Sequence, residues 1–278
     1  MFAEGDAYER FMGRWSRQFA PQLLRFASVG EGSALLDVGC GTGALASAAA
    51  AIPSVRVTSV DKSRALVEHA RGHAPGNVSF EVGDAQALSF SDATFDQTVA
   101  MLVMNFIPDP ASALREMIRV TRPGGIVAAA VWDYGEGMQM LRVFWDEAVA
   151  LAPDVAARDE RHMPLSRAGE LSALWRAEGL QDVDEQPLTV ALAFASFDDY
   201  WQPFIGGQGP AGAYVASLSD AGRRALESRL RGRLSSAGQD SAFTLPARAW
   251  AVRGVVPAGE SLASLSCDVA AGSSKLVD

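Results

Sequence analysis

"LLDVGCGTGAL" occupies Leu35–Leu45. A run of apolar residues is broken by Asp37, and three glycines follow at alternate positions, Gly39, Gly41 and Gly43. The run predicts a buried strand. The glycines predict a sharp turn whose backbone can approach a ligand. The alanine-rich "GALASAAAA" (43–51) predicts a helix. A helix that starts behind such a turn presents unpaired N–H groups and a partial positive charge to whatever lies in front of it. The stretch therefore marks a ligand site, equally open to a dinucleotide, a nucleotide phosphate or another adenosine compound.

Outward from this stretch, strand-like and helix-like segments alternate. Apolar runs at 34–39, 55–61, 78–84, 95–103 and 126–133 are separated by helical patterns at 63–73 and 109–120. Asp109 stands as N-cap with Pro110 at the first helical position, and "RPGG" (122–125) is expected to stop that helix before the next strand. This alternation predicts an α/β fold, a Rossmann-like doubly wound sheet. Ahead of it, Phe11, Trp15, Phe19, Leu23 and Phe26 recur at three- and four-residue steps, which predicts an amphipathic helix. Behind it, 138–151, 166–179 and 198–234 read as helical, the last with a Gly/Pro-rich break, and 182–194 and 242–255 as strands. The tail from Pro257 is rich in Ser, Ala and Gly and reads as disordered; whether its last residues, "GSSKLVD" (272–278), are native is left open.

Composition narrows the partners. Apolar residues make up 49% of 278, enough for a large core, and no apolar run is long enough for a membrane span. No Lys/Arg-led apolar stretch opens the chain, so the reading is a cytoplasmic protein. A net charge of −9 argues against a nucleic-acid partner, whose phosphates call for Lys and Arg. Two cysteines, Cys40 and Cys267, make neither a disulfide framework nor a zinc site. No metal is expected. Oligomeric state is not legible.

The glycine loop is a weak discriminator, because Asp61, about twenty positions on, suits any ribose-containing ligand, NAD included. Two further acids separate the candidates. Asp37, two residues before Gly39, would repel a pyrophosphate and attract a cationic amino-acid or sulfonium group. Asp84, closing the third strand and followed by the Ala85 N–H, can pair with the amine edge of an adenine.

With these segments in order, "LLDVGCGTGALA", "VTSVDKS", "VGDAQALSFSDATFDQTV" and "RVTRPGGIVAAAVW", the chain resembles the class I S-adenosylmethionine-dependent methyltransferases, in particular those of the ubiquinone/menaquinone-biosynthesis type. The likeness covers about residues 34–133. It implies a seven-stranded sheet that ends in a reversed β-hairpin, supplied by 182–194 and 242–255. It implies S-adenosyl-L-methionine as cofactor and a small-molecule methyl acceptor. Gly39, Cys40, Gly41 and Gly43 would line the methionine portion, with Asp37 and the Met101 carbonyl toward its ammonium. Asp61 would take the ribose hydroxyls, with Lys62 and Ser63 beside the adenine and Asp84, Ala85 and Gln86 at its edge. Tyr8, Met12 and Trp15 would belong to a lid formed by residues 1–30. The domain itself would span 31–256, with helical insertions at about 134–180 and 196–240 and a tail at 257–278. Where the family often has proline, this chain has Ser89 and Ser91, which loosens a loop without removing a binding group.

Methyl transfer by direct displacement needs a general base only when the nucleophile must lose a proton. Asp133, at the carboxyl end of the fifth strand, and His162 are the candidates; Asp133 serves equally as a turn cap, and His162 reads more simply as an exposed loop residue. Cys40 reads as a small filler. His69 and His73 read as helix-end partners. The arginines of 222–234 read as a solvated face. The aromatics at 200–214 are candidates for a substrate pocket. An NAD(P)-dependent oxidoreductase and a non-catalytic S-adenosylmethionine-binding module remain open alternatives.

Overall fold

The computed structural model describes residues 9–207, 209–234 and 241–258. Tyr8, Cys267 and the tail from residue 259 lie outside them.

The chain enters through a π-helical turn, Glu9–Gly13, that runs into helix α1, Arg14–Phe26. The apolar stripe does what its spacing dictates: Trp15, Phe19, Leu23 and Phe26 are buried on one face. The alternation follows as β1 Ala34–Val38, α2 Ala44–Ala49, β2 Arg56–Asp61, α3 Arg64–His73, β3 Val78–Val82, β4 Phe95–Met101, α4 Pro110–Val120 and β5 Thr121–Trp132. The expected cap forms: Asp109 Oδ1 accepts the Ser112 N–H. Ser63 caps α3 in the same way, its Oγ accepting the Leu66 N–H.

The strands among the described residues form one sheet in the order β3-β2-β1-β4-β5-β7-β6, where β6 is Gln181–Phe194 and β7 is Phe243–Val255. The first five run parallel, and β7 lies antiparallel between β5 and β6, the reversed hairpin that was expected. With β1 central and helices on both faces, Leu35, Leu36, Asp37 and Val38 are all buried; a central parallel strand has no solvent face.

"RPGG" does not separate α4 from the strand. The helix ends at Val120 and extended backbone begins at once, so these four residues lie inside β5 as an irregularity opposite Phe95–Gln97. Thr121 Oγ1 donates to the Met117 carbonyl and so caps the helix end, while Arg122, preceding a proline, is pushed out of the helical region. Gly125 is compulsory, because a Cβ there would lie 2.7 Å from the Asp96 carbonyl.

Between β5 and β6 come α5, Gln139–Leu151, two 3-10 turns at Pro153–Arg158 and Glu160–His162, and α6, Glu170–Ala177. Between β6 and β7 come α7, Phe197–Ile205, α8, Gly209–Ser217, and α9, Asp220–Leu234. Their interior is aromatic: Phe144 stacks on Phe204 at 4.6 Å, Phe11 meets Phe204 edge-on at 5.5 Å, and Trp145 lies 5.7 Å from Tyr214. Arg229 and Arg233 of α9 pair with Glu147, and Arg233 also with Asp146, both acids on α5. Among the described residues no helix is long and apolar enough to cross a membrane.

Candidate active site

The glycine turn is stitched to the end of β2. Gly39 and Cys40 donate their N–H groups to the Val60 carbonyl at 2.7 and 3.1 Å. Asp61 closes the turn from the other side, accepting the Gly41 N–H at 3.0 Å and the Ser63 N–H at 2.8 Å on its two oxygens. Gly39 has φ +71°, and a Cβ on it would fall 2.5 Å from Val103 Cγ2, so both backbone and neighbour exclude a side chain. Gly41 has φ +53° and nothing within 4 Å of its Cβ position: this is the open side of the turn.

A cleft runs along the carboxyl ends of the strands, as expected for ligands of open α/β sheets. Its lining follows the strand order. Gly83, Asp84, Ala85 and Gln86 line it at β3, Asp61, Lys62 and Ser63 at β2, and Asp37, Gly39, Cys40, Gly41 and Thr42 at β1. Met101, Leu102 and Val103 follow at β4, then Trp132 and Tyr134 at β5. Met12 of the π-helical turn and Ser16 of α1, four residues apart and so on one face of the N-terminal helical segment, also line it.

Asp37 is the unusual group. It is 1% exposed, and neither carboxylate oxygen has a hydrogen-bond partner. Burial first, then the Asp61 carboxylate, pushes its pKa up to about 8; the Ala46 N–H offsets part of this without reaching hydrogen-bond geometry. A buried acceptor left unpaired is costly. One on a cleft wall is a ready partner for a ligand's donors or positive charge. Cys40 is also buried, and its thiol pKa is driven far up, by burial first and then by Asp37 and Asp61, so it is an inert filler. Asp84 is exposed. The Gln86 backbone N–H and side-chain amide hold its carboxyl below the usual range, and Gln86 in turn accepts the Asp109 N–H.

Residues 36–129 match the family model described as a methyltransferase domain. The 2-methyl-6-phytyl-1,4-hydroquinone methyltransferase of Synechocystis is 36% identical over 120 residues, 42% of this chain and 38% of that protein. The malonyl-[acyl-carrier protein] O-methyltransferase of Erwinia pyrifoliae is 31% identical over 178 residues, 64% of this chain. The chain thus spans 38% and 63% of the length of these two relatives. The chain therefore resembles the S-adenosylmethionine-dependent methyltransferases over residues 36–129. Its fold agrees with the Haemonchus contortus phosphoethanolamine N-methyltransferase 2 in complex with S-adenosyl-L-methionine, at a TM-score of 0.56 and 20% identity, over 91% of this chain and 57% of that one.

The cleft gathers Met12, Asp37, Gly39, Cys40, Gly41, Asp61, Lys62, Ser63, Asp84, Ala85, Gln86 and Met101, and among the described residues four expected ones lie outside its lining. Gly43 does not line it. With φ +86° it makes the turn into α2, and its Cβ position faces Ala70 and Phe80, at 3.4–3.5 Å, away from the ligand side. Trp15 belongs to the buried stripe, edge-on to Phe194 at 5.2 Å under the Arg14 guanidinium. Asp133 turns away into the following loop, accepting the Glu136 N–H at 2.9 Å and pairing with Arg248. Burial would raise its pKa, but those partners hold it below the usual carboxylate range, which suits a turn cap and not a base. His162 is exposed on its 3-10 turn, outside the lining. Tyr8 lies outside the described residues. Tyr200, Trp201, Phe204 and Tyr214 are 0–5% exposed within the aromatic interior and line no part of the cleft.

Sequence reasoning missed Ser16, Thr42, Leu102, Val103, Phe106, Ile107, Pro108, Trp132 and Tyr134. Part of the reason lies at the end of β4, which was expected to run to Val103. The strand stops at Met101 because Leu102 adopts φ +61°, held by its N–H to the Ala130 carbonyl at 2.8 Å. A non-glycine residue there is strained by about 1–3 kcal/mol, and no composition rule announces it.

Proposed function

We propose that the protein transfers the methyl group of S-adenosylmethionine to a small, partly apolar acceptor. One observation carries the reading: a buried carboxylate without partners, Asp37, on the wall of a cleft that also holds Asp61 and Asp84 at the next two strand ends. Such a row suits a ligand with a positive centre, hydroxyls and an amine edge, and suits a pyrophosphate poorly.

In this reading Asp37, Gly39, Cys40, Gly41 and the Met101 carbonyl hold the methionine portion. Asp61 takes the ribose hydroxyls, with Lys62 and Ser63 beside the adenine, and Asp84, Ala85 and Gln86 take the adenine edge. When bound, the cofactor supplies a methyl group made electrophilic by a positive sulfur. The chain binds, aligns and dries the site. Met12 and Ser16 bring the N-terminal segment over the cleft, so residues 1–30 act as a lid on a domain of about 31–256.

Calorimetric titration with S-adenosylmethionine, S-adenosylhomocysteine and NADH tests this. Saturable binding of the first two and none of NADH is expected; failure of both adenosyl ligands to bind refutes the reading. Deletion of residues 1–20 is expected to weaken cofactor binding and turnover, and unchanged values refute the lid.

A further inference from the structure

Two buried polar groups stand side by side in the sheet. In the parallel pairing of β1 with β2, Asp37 is in register with Ser59. Register partners point to the same face of a sheet, and neighbouring strands lie about 4.8 Å apart, a gap that a hydroxyl and a carboxylate can bridge. Ser59 is 0% exposed, and among the described residues neither its Oγ nor either Asp37 oxygen has a hydrogen-bond partner. A donor without an acceptor thus lies next to an acceptor without a donor.

The surroundings direct the two groups to each other. The other in-register neighbour of Asp37 is Val99 of β4, and that of Ser59 is Phe80 of β3; neither side chain has a polar atom. Asp61 and Cys40 stand close enough to Asp37 to act on it electrostatically. Asp61 already accepts the Gly41 and Ser63 N–H groups, and Cys40 Sγ is directed at the Gly41 carbonyl, 3.9 Å away. Ser59 does not line the cleft, so it acts on a bound ligand through Asp37. In the empty fold its hydroxyl is a cost, because a buried polar group has given up water and gained no partner.

A hydrogen bond to an ionised acceptor is about twice as strong as one to a neutral acceptor. The Ser59–Asp37 bond is therefore worth most when Asp37 is a carboxylate, and a cationic group in the cleft favours that form. We infer that Ser59 is a positioning residue for the cofactor: its hydroxyl donates to the Asp37 carboxylate and holds it toward the ligand's ammonium. This inference rests on the cofactor reading above. The ammonium engages the carboxylate from the cleft, and Ser59 engages it from the β2 side.

The test measures S-adenosylhomocysteine affinity by calorimetry at pH 7 in the full chain, in Ser59→Ala, in Asp37→Ala and in the double variant, with a thermal melt of each empty protein. Ser59→Ala is expected to weaken the ligand about tenfold, the worth of one hydrogen bond to a charged group. Its empty form is expected to melt at the native temperature or above it, because an unpaired hydroxyl has been removed. In the Asp37→Ala background the same change is expected to cost less than about twofold, since its effect passes through the carboxylate. Ser59→Thr, which keeps the hydroxyl on a residue that strands favour, is expected to bind within about threefold of the native chain. Native affinity in Ser59→Ala, an equal loss in the Asp37→Ala background, or a Ser59→Thr no better than Ser59→Ala overturns the inference. So does a lower melting temperature of empty Ser59→Ala, which would make the hydroxyl a structural bond of the empty fold. If the native chain fails to bind S-adenosylhomocysteine, or Asp37→Ala binds it as the native chain does, the cofactor reading falls and this falls with it. If Asp37 matters and Ser59 proves independent of it, only this inference falls.

Discussion

With Asp37 as the proposed partner of the cofactor's ammonium, cofactor binding becomes a proton-coupled event. Its pKa of about 8 in the empty cleft means that the carboxyl is about nine-tenths protonated at pH 7. A positively charged amine beside it favours the carboxylate, so at pH 7 each molecule of S-adenosylhomocysteine bound should expel close to one proton from the protein. The apparent affinity should rise nearly tenfold per pH unit up to pH 8 and level off above it, after allowance for the ligand's own amine. Calorimetry at pH 7 in buffers of different ionisation heat counts the protons directly. Asp37→Asn, which mimics the neutral acid, should bind more weakly with no proton released. Tight binding of the ligand to the native protein with no proton released at pH 7 would refute the argument. The stability of the empty protein carries the same signature. A carboxyl whose pKa is raised on folding contributes stability that is complete below about pH 4 and is lost as pH climbs through 8. Asp37→Asn should therefore flatten that decline in urea denaturation between pH 5 and 8.

Gly39→Ala should lower S-adenosylhomocysteine affinity by about tenfold or more and the stability by about 1–3 kcal/mol, since φ +71° and Val103 both oppose a Cβ; calorimetry and thermal melting check it. Asp133→Asn should destabilise the protein by about 1 kcal/mol at neutral pH, a modest cost because Arg248 is partly exposed and keeps Glu136 at 3.7 Å. Because the folded pKa of Asp133 is lowered, that contribution is present above the unfolded pKa and fades as pH falls through the folded one; chemical denaturation at pH 7 and pH 3 measures both ends. His162→Ala should leave turnover and cofactor affinity within about twofold of the native values, as exposed residues away from a site do; a large loss would return it to the chemistry.

Local rules carried the α/β core. Strand ends at Val38 and Asp61, the caps at Ser63 and Asp109, and the glycine turn are written in spacing and residue type, because each depends on neighbours within a few residues. Asp37, Asp61 and Asp84 were legible for the same reason: a carboxylate at a parallel strand's carboxyl end stands at the ligand side wherever the sheet twists. What sequence could not assign is which way a side chain turns once two elements meet. Asp133 ends a strand as Asp61 does, yet Arg248, 115 positions later, draws it into a turn cap. Gly43 shares the spacing of Gly39 and Gly41 but faces Ala70 and Phe80 across the opposite side of the turn. The aromatics of 200–214 and the pair Trp132 and Tyr134 look alike as residues. All are buried, but the first pack against α5 away from the cleft, while the second edge it because β5 ends there. The sequence by itself thus determined the sheet and the polar row along one half of the cleft. Tertiary packing alone decided the other half of the cleft, because that surface is assembled from the N-terminal helical segment, the turn after β4 and the tip of β5, distant in sequence and matched only when folded.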